Sequence, residues 1–278
     1  MIAMKNSLLR KKRIHMLLAA LAASFVIAAC TTVPITGRRQ ISLIPEDSIL
    51  ATSLTQYENF LKTHELSHDV SASAMVRRVG TRIAAAVTDF LKTNGMTERA
   101  SEFAWEFNLV EDDKANAWCM PGGKVVVYTG ILPITRTEAG LAVVLAHEIG
   151  HAVARHGNER MSQQLMARLG HTALSTALST KPETTQQMWM AAYGLSTQVG
   201  FLLPYSRLQE SEADRLGLIF MAMAGYDPHE ATAFWERMMK SKGGNGGPEF
   251  LRTHPSDERR IQDIEAFMPQ AMKYFHKS

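Results

Sequence analysis

The chain has 278 residues, 46% of them hydrophobic and 21% charged, with 30 basic against 27 acidic residues and two cysteines. That composition suits one domain with a sizeable core and excludes a disordered, collagen-like or disulfide-stapled chain. The net charge of +3 belongs to the first residues. Lys5, Arg10, Lys11, Lys12 and Arg13 precede Cys30 with no acid among them, and the remainder carries 25 basic against 27 acidic residues, a net of −2. No basic surface points to nucleic acid, and none is expected as a partner.

In chain order, the basic start is followed by an apolar stretch from Ile14 to Ala29, short for a membrane span and ending in small residues. Residues 1–29 therefore read as a signal peptide, with a plain signal anchor as the alternative. Residues 30–45, with Pro34, Gly37 and Pro45, read as a tether, and residues 46–278 as the domain. Helical runs are expected around 46–63 and 70–93, the second with Met75, Val76, Val79, Ile83, Ala86, Val87 and Phe90 at helical spacing. Phe103–Val110 and Lys124–Thr129 are the clearest strands, and the β-branched run after Pro121-Gly122-Gly123 carries its own turn signal.

Thr135-Arg136-Thr137-Glu138 has the form of a capping box and opens a third helix, which Gly157 is placed to close. Inside that apolar run sits His147-Glu148-Ile149-Gly150-His151. Histidines four apart share a helix face, which is the spacing two ligands on one zinc ion require. The adjacent Glu148 can then act as general base on a metal-activated water. The bland alternative, a surface helix with two histidines, fits poorly with so apolar a surrounding sequence.

Residues 161–203, rich in Met, Ala, Leu, Ser and Thr, read as two helical runs broken at Lys181-Pro182-Glu183. Core packing is the expectation, with a membrane-touching surface or a lid over the cleft as alternatives. Ser206 and Gln209 form a second capping-box pattern, opening a helix with Glu210, Ser211, Glu212, Ala213 and Asp214. Glu210 and Asp214 share a face, so Glu210 is favoured over Glu212 as a third ligand, with Asp214 placed to accept a hydrogen bond from a ligand histidine. Asp227-Pro228-His229-Glu230 opens another helix. The stretch Gly243-Gly244-Asn245-Gly246-Gly247-Pro248 reads as a flexible loop placed to move His254. His254 precedes Pro255 and is held out of a helix by it.

The HEIGH motif and the later E-S-E-A-D resemble the gluzincin pattern of the membrane-associated zinc metallopeptidases that include HtpX, BepA and the CAAX prenyl protease. The bacterial LoiP-like lipoproteins are the nearest in pattern, and the likeness covers roughly residues 45–268. The resemblance implies an α+β, mainly helical, zincin-like fold with a small β-sheet edge beside the zinc helix. It implies one zinc ion per chain held by His147, His151 and Glu210, Glu148 as base, and Asp214 behind a ligand histidine. Asn116 to Gly130 resembles the family's substrate-bordering strand, which makes Gly122, Gly123, Lys124 and Val125 candidates for substrate binding. Thr253-His254-Pro255 with Arg260 resembles the family's C-terminal element. His254 is either a fourth zinc contact that leaves for catalysis or an oxyanion donor, and Arg260 competes for the latter role. Cys119 departs from the usual small apolar residue and reads as a small buried hydrophobe.

Ile27-Ala28-Ala29-Cys30 resembles a bacterial lipobox, which implies cleavage before Cys30 and lipid on its sulfur. Thr31, where aspartate would signal inner-membrane retention, points to the outer membrane and its periplasmic face. The expected activity is thus endopeptidase cleavage of unfolded or misassembled envelope proteins from a membrane anchor at Cys30. The competing reading is a chaperone-like or latent lipoprotein that binds clients without turnover.

Overall fold

The computed structural model describes residues 30–34, 36–241 and 248–275. The expected leader (residues 1–29) and the glycine-rich residues 243–247 lie outside the described residues.

Two short strands open the described residues, β1 (Cys30–Thr32) and β2 (Arg39–Ile41), paired antiparallel with Cys30 opposite Ile41. The expected tether is thus folded onto the domain. Val33 and Gln40 are buried, and Gln40 Nε2 donates to the Ala154 carbonyl at 2.9 Å. Helices α1 (Glu46–Thr63) and α2 (Val70–Thr93) fall where hydrophobic spacing puts them. Asp69 caps α2 by accepting from the Ala72 amide at 2.8 Å, satisfying one of the amides that a helix start leaves open. Its buried stripe includes Val76, Val79, Ile83, Val87 and Phe90.

A short helix α3 (Thr97–Ser101) leads into a three-stranded sheet of β3 (Glu106–Val110), β4 (Ala117–Met120) and β5 (Lys124–Tyr128). The strand order is β3-β5-β4, with β3 parallel and β4 antiparallel to β5. Alternation sorts β5 cleanly: Val125 and Val127 join the main core, while Val126 and Tyr128 face Tyr57 of α1.

After the single-turn helix α4 (Leu132–Thr135) comes α5 (Glu138–Val153), buried along nearly its whole length and therefore the central helix of the fold. Its cap is Thr137, whose Oγ1 accepts from the Gly140 amide at 3.0 Å; Thr135 instead closes α4. The turn after α5 also differs from expectation. Arg155 rather than Gly157 takes the left-handed conformation (φ 56°), held there by ion pairs to Glu102 and Glu46.

Helices α6 (His156–Leu178) and α7 (Glu183–Thr197) then form a hairpin. Core packing was the expectation for this stretch, and the structure overturns it. Beyond Gln163 the two helices pack on each other, as where Tyr193 Oη donates to the Ala167 carbonyl at 2.9 Å, and none of α7 is buried. Leu169, Met188 and Leu195 are each more than 60% exposed. Apolar sequence signals a preference for burial, but burial needs an opposing surface, and no described element covers this one.

A π-helical turn (Gln198–Leu202) joins α7 to α8 (Leu203–Met223). Pro204 lies in the first turn of α8, and the wide turn before it accommodates the missing amide and the ring. The helix accordingly starts before Ser206, with no side-chain cap there. Helices α9 (Glu230–Lys240), α10 (Glu249–Thr253) and α11 (Glu258–Ala271) complete the domain, with Asp257 capping α11 through the Arg260 amide at 2.9 Å. The architecture is α+β and mainly helical. No single described helix is long and apolar enough to cross a membrane.

Candidate active site

The α5–α8 pair positions the site. Gly150 of α5 lies against Ala213 of α8, and Gly217 of α8 lies against the backbone of Ala146 and His147. Glycine at both crossings lets the two backbones approach closely. His147, Glu148 and His151 of α5 thereby face Glu210 and Asp214 of α8, all of them buried.

Four side chains converge: His147, His151, Glu210 and His254, with one ligand atom from each inside a 4.8 Å span. His147 Nε2 is 3.1 Å from both His151 Nε2 and His254 Nδ1, and each of the two α5 histidines has its Nε2 3.3 Å from Glu210. His254 Nδ1 is 3.0 Å from Glu210 Oε2. Ligands about 2.0–2.1 Å from a tetrahedral zinc ion stand roughly 3.4 Å apart, so the spacing fits that ion. Three imidazole nitrogens turned on one point beside a carboxylate are also the donor chemistry zinc takes, and the expected cofactor, one zinc ion, suits this set.

His147 is held from behind. His147 Nδ1 is 2.9 Å from Asp214 Oδ1, the contact anticipated for that aspartate. Burial lowers the His147 pKa, but its bonds to Asp214 and Glu210 outweigh that and hold it at about 9. Burial pushes the Glu210 carboxyl up, yet His151, His147 and His254 together hold it well below the usual carboxylate range. His151 is depressed by burial.

Arg260 is not an open oxyanion donor. Its guanidinium donates to Asp214 through Nε and Nη2, both at 2.8 Å, and to the Pro255 carbonyl at 3.0 Å. It also pairs with Glu210 at 3.2 Å and stacks 3.6 Å over the Trp235 ring. Those contacts make it the clamp on the two α8 carboxylates.

His254 sits between the donor set and Glu148. With Nδ1 in the cluster, its Nε2 pairs with Oε1 of the buried Glu148 at 3.2 Å. The ring is stacked on Phe250, centroids 4.5 Å apart.

The substrate-strand expectation needs correction. Val125 is fully buried in the central strand and paired on both sides, and Lys124 Nζ is committed to the Ala104 carbonyl and Glu106. Gly122 and Gly123 form the turn, at φ 87° and 83°. The edge beside the zinc helix is β4, because strand order places β5 inside. A cleft of about 110 Å³ lies there, lined by Cys119, Met120, Pro121 and His151 among others. A larger cavity of about 480 Å³ opens on the other flank, against Glu210, Asp214, Arg260, Leu218 and Phe267. Burial, and then the nearby Glu148 charge, raises the Cys119 thiol well above its ordinary pKa.

The sequence reading passed over His156 and Arg38 and set Glu212 aside as the less favoured ligand. His156 Nδ1 is 2.9 Å from His151 Nδ1, and its Nε2 is 3.2 Å from Glu212 Oε2. Burial depresses His156 even though its bond to Glu212 raises it, and Glu212 falls to about 2 because its bonds to His156, Arg38 and Thr36 outweigh its burial.

The sequence profile of Peptidase family M48 matches residues 71–268. The chain belongs to that family. It is 40% identical over 179 residues to the mitochondrial metalloendopeptidase OMA1 of Schizosaccharomyces pombe, covering 62% of this chain and 49% of that protein. It is 31% identical over 246 residues to the Bos taurus mitochondrial metalloendopeptidase OMA1, covering 86% and 46%. The Escherichia coli beta-barrel assembly-enhancing protease is 31% identical over 163 residues, covering 57% and 33%. The chain thus spans about half the length, or less, of these relatives. The expected bacterial outer-membrane, periplasmic placement does not stand, since the OMA1 relatives are mitochondrial proteins.

Proposed function

We propose that this M48 chain is a zinc-dependent endopeptidase in which His147, His151 and Glu210 hold the metal and Glu148 is the general base. The observation that carries this reading is a buried donor set of His147, His151 and Glu210 at zinc spacing, with the buried Glu148 carboxylate close by, 3.2 Å from His254. When bound, zinc supplies a Lewis acid that polarises a peptide carbonyl and acidifies water. Glu148 takes the proton from the attacking water and returns it to the leaving amine. Asp214 fixes the His147 ring by accepting from its Nδ1, and Arg260 holds Asp214 and Glu210 in register. A peptide is received in extended form along β4, with backbone hydrogen bonds that make little demand on sequence.

His254 favours a second reading in which the chain rests in a latent state. With four protein donors the set is closed, like a structural zinc site, whereas a catalytic one keeps a position open. His254 stands where the water must be and withdraws for turnover; a chain in which it never withdrew would be a client-binding protein. Substrates are proposed to be unfolded or misassembled proteins, in keeping with the printed name of the E. coli relative. Membrane attachment through Cys30 is retained as a proposal that intact-mass analysis of the purified chain tests directly.

The decisive experiment is zinc content by elemental analysis with casein cleavage, run beside Glu148→Gln. One zinc in both proteins, with cleavage in the parent alone, is the expected result. Zinc in both without cleavage in either supports the latent reading, and no zinc under replete conditions refutes both.

A further inference from the structure

We propose that His156 and Glu212 are positioning residues of the metal centre, and that Arg38 on the N-terminal arm locks them in place. The inference rests on the reading of His151 as a zinc ligand.

The argument begins with protons. His151 turns Nε2 toward the other donors, 3.1 Å from His147 Nε2, and Nδ1 toward His156. A neutral histidine that binds a metal through Nε2 carries its proton on Nδ1. That N–H can only donate to His156 Nδ1, 2.9 Å away, which must therefore be bare. The His156 proton then sits on Nε2, where it donates to Glu212 Oε2 at 3.2 Å. One assignment satisfies every atom in the row: Glu212 carboxylate, His156 with its proton outward, His151 with its proton outward, metal. It does for His151 what Asp214 does for His147, through one additional ring.

The far end of the row is fixed just as firmly. Glu212 accepts from Thr36 Oγ1 at 2.6 Å and from Arg38 Nε at 2.9 and 3.0 Å to its two oxygens. Arg38 turns its other face to Glu159, at 2.6 and 2.7 Å, and Glu159 also accepts from Gln209 Nε2 at 2.7 Å. His156, Glu159 and Glu212 are all buried. Burying such a network is costly, and an apolar filling of similar volume is frequently the more stable solution. A role in orienting a ligand accounts for its presence. Thr36 and Arg38 lie in the turn between β1 and β2, so the metal centre is completed by the N-terminal arm of the described residues.

The test uses the full chain and two readouts besides activity: zinc affinity by competition with a chromophoric chelator, and the visible spectrum of the cobalt(II)-substituted protein. His156→Phe keeps the ring volume but removes the acceptor. It is expected to weaken zinc binding about 10–100-fold, the cost typical of losing a partner behind a ligand, and to alter the cobalt spectrum. His156→Gln, which can still accept from His151, is expected to recover part of that loss. Arg38→Met, at the partly exposed end, is expected to shift both readouts in the same direction by a smaller factor. Wild-type affinity and spectrum in folded His156→Phe would overturn the proposal. Should that variant not fold, unchanged readouts in Arg38→Met overturn it equally. His151→Ala separates the underlying reading, because retained zinc affinity there would dismiss His151 as a ligand however His156 behaves.

Discussion

Gly217→Ala tests whether the spacing of α5 and α8 sets the metal site. A Cβ at position 217 would stand 3.0 Å from the His147 amide nitrogen, 3.1 Å from the Ala146 carbonyl carbon and 3.2 Å from His147 Cα. All three are backbone atoms of the helix carrying the ligands, so no side chain can swing aside. Relief requires the helices to part by a few tenths of an ångström. Alanine gains about 1 kcal/mol of helix propensity over glycine. Overpacking costs about 1–3 kcal/mol, so the net loss of stability is at most about 2 kcal/mol. The metal is less forgiving, because its ligand distances tolerate only about 0.2 Å. Zinc affinity is therefore expected to fall about tenfold or more, out of proportion to the stability change. Chelator competition measures the first quantity and urea unfolding of the metal-free protein the second. Gly194→Ala is the control: nothing lies within 4 Å of a Cβ there, and the same propensity gain is expected to stabilise the chain with zinc binding unchanged. Parental zinc affinity in a folded Gly217→Ala protein would refute the argument that this crossing sets donor geometry.

Three further outcomes follow from the site and its surroundings. Asp214→Asn is expected to cost about 10–100-fold in zinc affinity, by chelator competition, because His147 and Arg260 both lose their charged partner. Trp235→Ala is expected to cost about 3–5 kcal/mol in urea unfolding, since the ring is buried under Arg260, whereas Trp189→Ser on the exposed hairpin is expected to stay within about 0.5 kcal/mol. Cys119, with its thiol pKa raised, is expected to alkylate more slowly at neutral pH in the folded chain than in the unfolded one, as followed by mass mapping of its peptide. Glu148→Gln is expected to speed that reaction by removing the nearby charge.

Features written into local spacing were legible in the sequence. The extent of α2 followed from hydrophobic period, and two histidines and two carboxylates at four-residue intervals announced the faces that meet at the donor cluster. Caps were legible only approximately: Thr135 and Thr137 offer the same chemistry, and the choice depends on where α4 ends. The closing turn of α5 was misread because Arg155 tolerates φ 56° through its pairs with Glu102 and Glu46, which come from distant segments. Strand order is equally non-local, and nothing within Lys124–Tyr128 says that β4 rather than β5 forms the edge. Glu212 was set aside because two positions along a helix from Glu210 is nearly the opposite face. That inference was sound for the face, but a third element, the N-terminal arm, covers it.

The distribution of the four donors over the fold bears on which can leave. His147, His151 and Glu210 sit on two long helices whose contact is backbone on backbone at Gly150 and Gly217, and Asp214, Arg260 and His156 hold them from behind. His254 follows the five-residue α10 and precedes Pro255, which donates no amide hydrogen bond. Its own amide bonds the Phe250 carbonyl at 2.8 Å, within the same short segment. Moving His254 therefore breaks a few local contacts, whereas moving any other donor separates the central helices. On the proposed reading, His254→Ala frees the fourth position at little structural cost. The mutant is expected to cleave casein faster than the parent while still binding zinc through three ligands. A parent that already cleaves at the mutant's rate would show that His254 imposes no barrier, and loss of cleavage in the mutant would make His254 a participant in the reaction.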